Sequence, residues 1–137
     1  MIIDAKDAVM GRLASNAATT LLKGDRVVII NAEKAIVTGS PASIKGKWMR
    51  IKNLGSPQHG PFLHKAPDKV LRRTIRGMMP YKKSKGRDAM KRLRVFTGTP
   101  ENMNEIKGAE EIISLTKPVR SNFMYLEEIC KSLGWAG

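Results

Sequence analysis

Residues 1–32 read MIIDAKDAVMGRLASNAATTLLKGDRVVIINA, and this stretch decides the fold. MIIDA is a short apolar run ending at Asp4 and predicts a buried strand. Met10, Leu13, Ala14, Ala17, Ala18, Leu21 and Leu22 then recur at i, i+3, i+4, i+7, the single apolar stripe of an amphipathic helix. Asp7 or a neighbour is expected to cap its start, and Lys23-Gly24 is a normal ending, with a cation in the last turn and glycine beyond. DRVVIINA is too apolar and β-branched for a half-exposed edge, so it predicts a strand covered on both faces. Strand, helix and strand in so short a span make a βαβ unit, with a right-handed crossover and parallel pairing.

Working outward, Lys34–Thr38 (KAIVT) predicts a third short strand, and Gly39-Ser40-Pro41 breaks the chain before a helix over Ala42–Lys52. NLGSPQHGPFLHKAP, residues 53–67, is a proline- and glycine-rich loop. Two basic helices follow, then a fourth strand at Arg94–Gly98 (RVFTG) and a surface loop over Thr99–Gly108. Ala109–Lys117 carries no decisive pattern. A last helix is expected over Asn122–Leu133, with Phe123, Leu126, Ile129, Cys130 and Leu133 on one side and Gly134 as its stop. Phe96, Phe123, Tyr125 and Trp135 read as core. The expectation is one α/β domain over residues 1–137, built on a small, mostly parallel four-stranded sheet with helices on both faces.

The chain's 137 residues, 42% of them apolar, suffice for a hydrophobic core without staples. A single cysteine, Cys130, excludes an intramolecular disulfide and suits a reducing, cytoplasmic setting. The start lacks a basic region followed by a long apolar run, and the longest aliphatic run, Val27–Ile30, is far short of a membrane span. The expectation is a soluble intracellular protein.

The net charge is +13, and its distribution matters more than its size. Residues 45–94 hold 16 of the 25 lysines and arginines but only Asp68 and Asp88 among the 12 acids, so this segment carries +14 and the remainder −1. Such a concentration raises the local density of an anionic partner and speeds its association. Anionic lipid is disfavoured because the segment lacks the large Leu, Phe and Trp face used at membrane interfaces.

Helical spacing gives the charge a direction. Asp68, after Pro67, favours the start of a helix running to Arg76, and Gly77 and Pro80 end it. Lys69, Arg72, Arg73 and Arg76 then form one stripe, with Val70, Leu71, Thr74 and Ile75 opposite. In the next helix Arg87, Lys91 and Arg94 lie on one side and Ala89, Met90 and Leu93 on the other, while Asp88 and Arg92 are spaced to pair. In the intervening GMMPYKKSKG, Met78 and Met79 are expected to anchor the loop while Lys82, Lys83 and Lys85 project, and Gly77 and Gly86 would let backbone approach a phosphate. Lys45, Lys47, Arg50 and Lys52 extend the same basic segment. Tyr81 is the aromatic best placed to stack on a base, with packing on Met78 an equal alternative, and Trp48 is placed to pack amphipathically beside the partner. If roughly eight of these residues meet phosphates, log K should fall with log salt at a slope of about −6 to −7.

Catalytic signals are weak. His59 and His64 have no cysteine or third histidine at zinc spacing, and suit contacts to phosphate or base instead. Neither G-x-x-x-x-G-K-[ST] nor G-x-G-x-x-G occurs, so a nucleotide-binding enzyme rests on the βαβ arrangement alone. Asp4, Asp7, Asp25 and Glu33 are accounted for by capping and surface pairing, and Cys130 by an apolar helix face. Neither an enzyme nor a cofactor is expected; a stand-alone RNA- or DNA-binding module is the nearest alternative to the reading below.

GRLAS (Gly11–Ser15), INAEKAIVTG (Ile30–Gly39), HGPFLHKAP (His59–Pro67) and RTIRGMMPYKKSKGRDAMKRLRVFTGTP (Arg73–Pro100) occur in order. In these blocks the chain resembles the large ribosomal subunit protein 13 family. The ending LTKPVRSNFMYLEEICKSLGW resembles archaeal and eukaryotic members. Gly24-Asp25 leads straight into RVVIINAE without the bacterial insertion, and GSPQHGPFLHKAP stands where bacterial members have HSGYPGG, so the chain looks archaeal in type. The resemblance implies a three-layer α/β/α fold and a structural role on large-subunit ribosomal RNA, beside neighbouring large-subunit proteins, with no membrane and no homo-oligomer. Its RNA-contacting block falls on Lys69, Arg72, Arg73, Arg76, Lys82, Lys83, Lys85, Arg87 and Lys91, with His59, His64 and Lys65 added by the loop match. Tyr81 replaces a histidine of the family, so that residue's contact is not carried over.

Overall fold

Four short parallel strands, β1 (Ile2–Asp4), β2 (Val27–Ile30), β4 (Leu93–Val95) and β5 (Ile112–Ser114), form the main sheet in the order β4-β2-β1-β5. This is seen in a computed structural model, which describes residues 2–52, 65–80, 82–99, 112–114 and 122–135. Ile3 stands opposite Ile29, and Val27 opposite Leu93. These four side chains share one face and are essentially inaccessible. Ile2 and Ile30, which point the other way, are buried too. Both faces of β1 and β2 are therefore covered, as a continuous apolar run in a parallel sheet requires.

Helix α1 (Met10–Leu22) has the expected bounds and buries Leu13, Ala14, Ala17, Ala18 and Leu21. Small alanines on this stripe let it lie against both α3 (Pro67–Gly77) and α4 (Ser84–Lys91). Those helices contribute Val70, Leu71, Ile75, Ala89 and Met90 to the same core. The expected α/β class, with a small parallel sheet and packed helices, is what the chain forms.

Several local expectations give way to long-range pairing. KAIVT does not enter the main sheet. Ala32–Lys34 forms a 3₁₀ turn, and β3 (Ile36–Thr38) pairs antiparallel with β6 (Phe123–Tyr125), Val37 standing opposite Met124. The fourth strand of the main sheet is Ile112–Ser114, inside the stretch without a decisive pattern. The C-terminal helix α5 starts only at Leu126 and ends at Ser132. Phe123 is therefore strand, 38% exposed, rather than core, and its ring meets Tyr125 edge-on at 5.6 Å. Leu126 and Cys130 join the main core, whereas Ile129 and Leu133 pack with Met124 and Ile44 of α2 (Pro41–Lys52) in a second cluster.

Asp7 does not cap α1, whose N-cap is Val9 with no side-chain bond. Nor does any side chain cap α3; there Pro67 occupies the first turn, where its missing N–H costs nothing, and Asp68 stands near the positive end of the helix. At the C-terminal ends of β2 and β4, Asn31 adopts a left-handed conformation (φ 57°) and its N–H donates to Gly98 O at 3.0 Å. Gly98 N–H in turn donates to Glu33 Oε2 at 2.8 Å.

Candidate nucleic-acid interface

The two basic helices turn their apolar sides inward. On α3, Val70, Leu71 and Ile75 are buried while Lys69 and Arg76 are exposed and Arg73 is half-buried. On α4, Ala89 and Met90 are buried while Lys85, Arg87 and Lys91 are exposed. Lys82 and Lys83, between the helices, are exposed as well. This follows from the 3.6-residue period: burying one stripe of an 8- or 11-residue helix leaves the opposite stripe to solvent. Helix α2 presents Lys45, Lys47 and Arg50 outward. Trp48 is half-buried against both apolar clusters, in line with packing rather than stacking.

The loop anchor is half of what Met78-Met79 suggested: Met79 is buried at 5%, but Met78 is exposed at 45%. Gly86 is buried inside α4, so its bare backbone faces the protein and not a phosphate. Lys65 is exposed and lies beside the end of α5; a Cβ on Gly134 would stand 3.4 Å from its Nζ. His59, His64, Tyr81 and the side chain of Lys52 lie outside the described residues.

Two arginines of the block are bonded inward. Arg72 is half-buried and its two terminal nitrogens donate to Leu93 O at 3.1 Å and Met90 O at 3.2 Å. On the helical wheel Arg72 lies about 60° from Ile75, at the margin of the buried stripe, so its fork reaches the end of α4 and the start of β4. Arg92 does not pair with Asp88. Its Nη2 donates to Leu21 O at 2.7 Å in the last turn of α1, and Asp88 instead meets Lys91 at 4.0 Å in an exposed contact of little energetic weight. Neither inward bond has a sequence signature, because each acceptor is a main-chain carbonyl brought near only by packing.

Elsewhere, Lys6, Asp7, Lys34, Tyr125 and Glu127 line a cavity of about 270 Å³. Its two lysines balance its two carboxylates, unlike the strongly basic surface of α3 and α4. Among the described residues no cluster of His, Cys, Asp and Glu is arranged to hold a metal ion, and no helix is long and apolar enough to cross a membrane.

A family model described as ribosomal protein L13 matches residues 1–102. The chain belongs to the ribosomal protein L13 family. Among similar proteins, large ribosomal subunit protein uL13 of Methanopyrus kandleri is 42% identical over 137 residues, covering 98% of this chain and 86% of its own. The uL13 proteins of Methanosarcina barkeri, 42% identical, and Methanocaldococcus jannaschii, 40% identical, each align over 97% of this chain and 96% of theirs. These are archaeal relatives, in agreement with the missing bacterial insertion. The basic helices α3 and α4 lie wholly within the matched residues of the L13 family.

Proposed function

We propose that this chain is a structural constituent of the large ribosomal subunit and holds large-subunit ribosomal RNA through the outward stripes of α3 and α4. The observation that carries the reading is the separation of charge on those helices: basic side chains at the surface, apolar ones in the core, in a member of a ribosomal protein family. Lys69, Arg73, Arg76, Lys82, Lys83, Lys85, Arg87 and Lys91 make one charged surface from two helices and a loop. Such a surface suits a folded backbone that presents phosphates from more than one direction. Lys45, Lys47 and Arg50 of α2 are expected to add to it, and Lys52, His59, His64 and Lys65 are proposed as further contacts from the sequence alone. The mechanism is electrostatic and shape-based clamping, in which released counterions supply much of the affinity. Other large-subunit proteins are expected to flank it.

The test replaces Arg76, Lys85 and Arg87 together by Glu, far from the core side of either helix. The variant should fold but fail to sediment with large subunits from cell extract at moderate salt. Normal incorporation would remove the proposed interface. A wild-type protein found only in a free pool would instead support a stand-alone nucleic-acid-binding module.

A further inference from the structure

Arg72 lies in the middle of the basic block, yet its guanidinium faces two carbonyls of its own chain. Met90 O belongs to the last turn of α4, and Leu93 O is the first carbonyl of β4. The last carbonyls of a helix lack intrahelical donors and carry the negative end of its dipole, so a bridging cation there is bound by both hydrogen bonding and charge. A planar fork can meet two acceptors at once, which a single ammonium cannot do in the same geometry. Between those two carbonyls in sequence, Arg92 is the C-cap of α4 and reaches Leu21 O at the end of α1. The two arginines thus join α3 to α4 and α4 to α1 through the carboxyl ends of helices.

From this geometry we infer that Arg72 is a positioning residue for RNA binding. It fixes the basic stripe of α4 relative to that of α3, and does not itself act as a phosphate contact. The inference rests on the proposed role of α3 and α4 in holding ribosomal RNA. Its physical basis is preorganisation: two charged stripes that must meet one rigid RNA surface bind more tightly when their relative placement is settled beforehand. Helix α4 spans only 8 residues, too short to be stable in isolation, so its placement depends on tertiary ties: the packing of Ala89 and Met90 and these bonds.

The experiment uses the full chain and a transcript of large-subunit ribosomal RNA, with Arg72→Lys, Arg72→Met and, for comparison, Lys85→Met. Amide hydrogen exchange is followed in the free protein, and affinity is measured over a series of salt concentrations. Arg72→Lys keeps the charge but loses the fork. It should speed exchange across α4 by about tenfold relative to α1, and weaken RNA binding similarly at every salt concentration. Arg72→Met should do the same with the salt slope unchanged. Lys85→Met should instead leave exchange alone and make the slope shallower by about 0.7 to 0.9.

The inference is overturned if Arg72→Lys behaves as wild type and Arg72→Met makes the slope shallower as Lys85→Met does, for Arg72 is then a phosphate contact. It is equally overturned if exchange quickens uniformly through all elements, since Arg72 then serves only general stability. Should Arg72→Met fail to fold, the lysine variant decides alone. Failure of the wild-type protein to bind the transcript would remove the functional reading and the positioning role with it, while the exchange experiment would still report the clamp.

Discussion

Tyr125 donates its phenolic hydrogen to Asp7 Oδ1 across 2.9 Å, joining residues 118 apart in sequence. Asp7 holds a left-handed backbone (φ 57°), and its N–H donates to Lys34 O at 3.1 Å. The turn after β1 is thereby tied both to the 3₁₀ turn and to β6. The hydrogen bond to Asp7, then the charge of that carboxylate, push the Tyr125 phenol above its ordinary 10.0.

The sign of the resulting pH dependence follows from the neutral phenol being the donor. Its folded pKa exceeds its unfolded one, so the contribution is complete below the unfolded value and is lost as pH rises through the folded value. Tyr125→Phe should lower the urea midpoint at neutral pH, and the difference from wild type should shrink in strong alkali. Tyrosinate absorbance titrated in wild type and variant isolates the Tyr125 transition from that of Tyr81. A difference between the two proteins that does not depend on pH would show the bond to be immaterial.

Cys130 is fully buried on α5, and burial, reinforced by the Asp68 charge, pushes its thiol up to about 12. With almost no thiolate at neutral pH and no access, it should not react with a disulfide reagent in the native protein, and should react stoichiometrically in urea. Rapid native labelling would mean that α5 opens readily.

Leu71 is inaccessible in the core beneath α3. Leu71→Ala removes the packing that holds the helix against α1 and should cost about 2–5 kcal/mol by urea unfolding. A loss under about 1 kcal/mol would mean that the core collapses into the space left.

The Glu33–Gly98 bond closes the ends of β2 and β4. Glu33, 8% exposed, offers its carboxylate to a main-chain N–H, so Glu33→Ala should cost about 1–3 kcal/mol. Gly98 has φ 72° but open space around an added Cβ. Gly98→Ala should therefore cost about 1 kcal/mol through backbone strain rather than collision. Both losses are read by thermal or urea unfolding.

Elements bounded by local chemistry were legible in the sequence. The alanine- and leucine-striped α1, together with α2 and α3, lies within a residue of its expected limits, and the strand expected in DRVVIINA forms over its central VVII. Residues 122–133 show where local pattern misleads. Phe123, Leu126, Ile129, Cys130 and Leu133 fit a helical face, but Phe123–Tyr125 finds a better partner in Ile36–Thr38, and the hydrogen bonds of that pairing override the helical period. Ile112–Ser114 is a strand because β1 offers it an edge, which no run of three residues can announce.

The candidate interface divides in the same way. A 3.6-residue period acts on neighbouring residues, so the sequence alone placed Lys69 and Arg76 away from Val70, Leu71 and Ile75, and Arg87 and Lys91 away from Ala89 and Met90; Lys85, expected on the loop, instead stands in the first turn of α4. The concentration of charge between residues 45 and 94 likewise pointed to an anionic partner. Only the tertiary structure decided that Arg72 and Arg92 turn inward and that Asp7 serves Tyr125. The partners of all three come from other segments of the chain, and a long side chain takes its direction from whichever acceptor packing brings within reach.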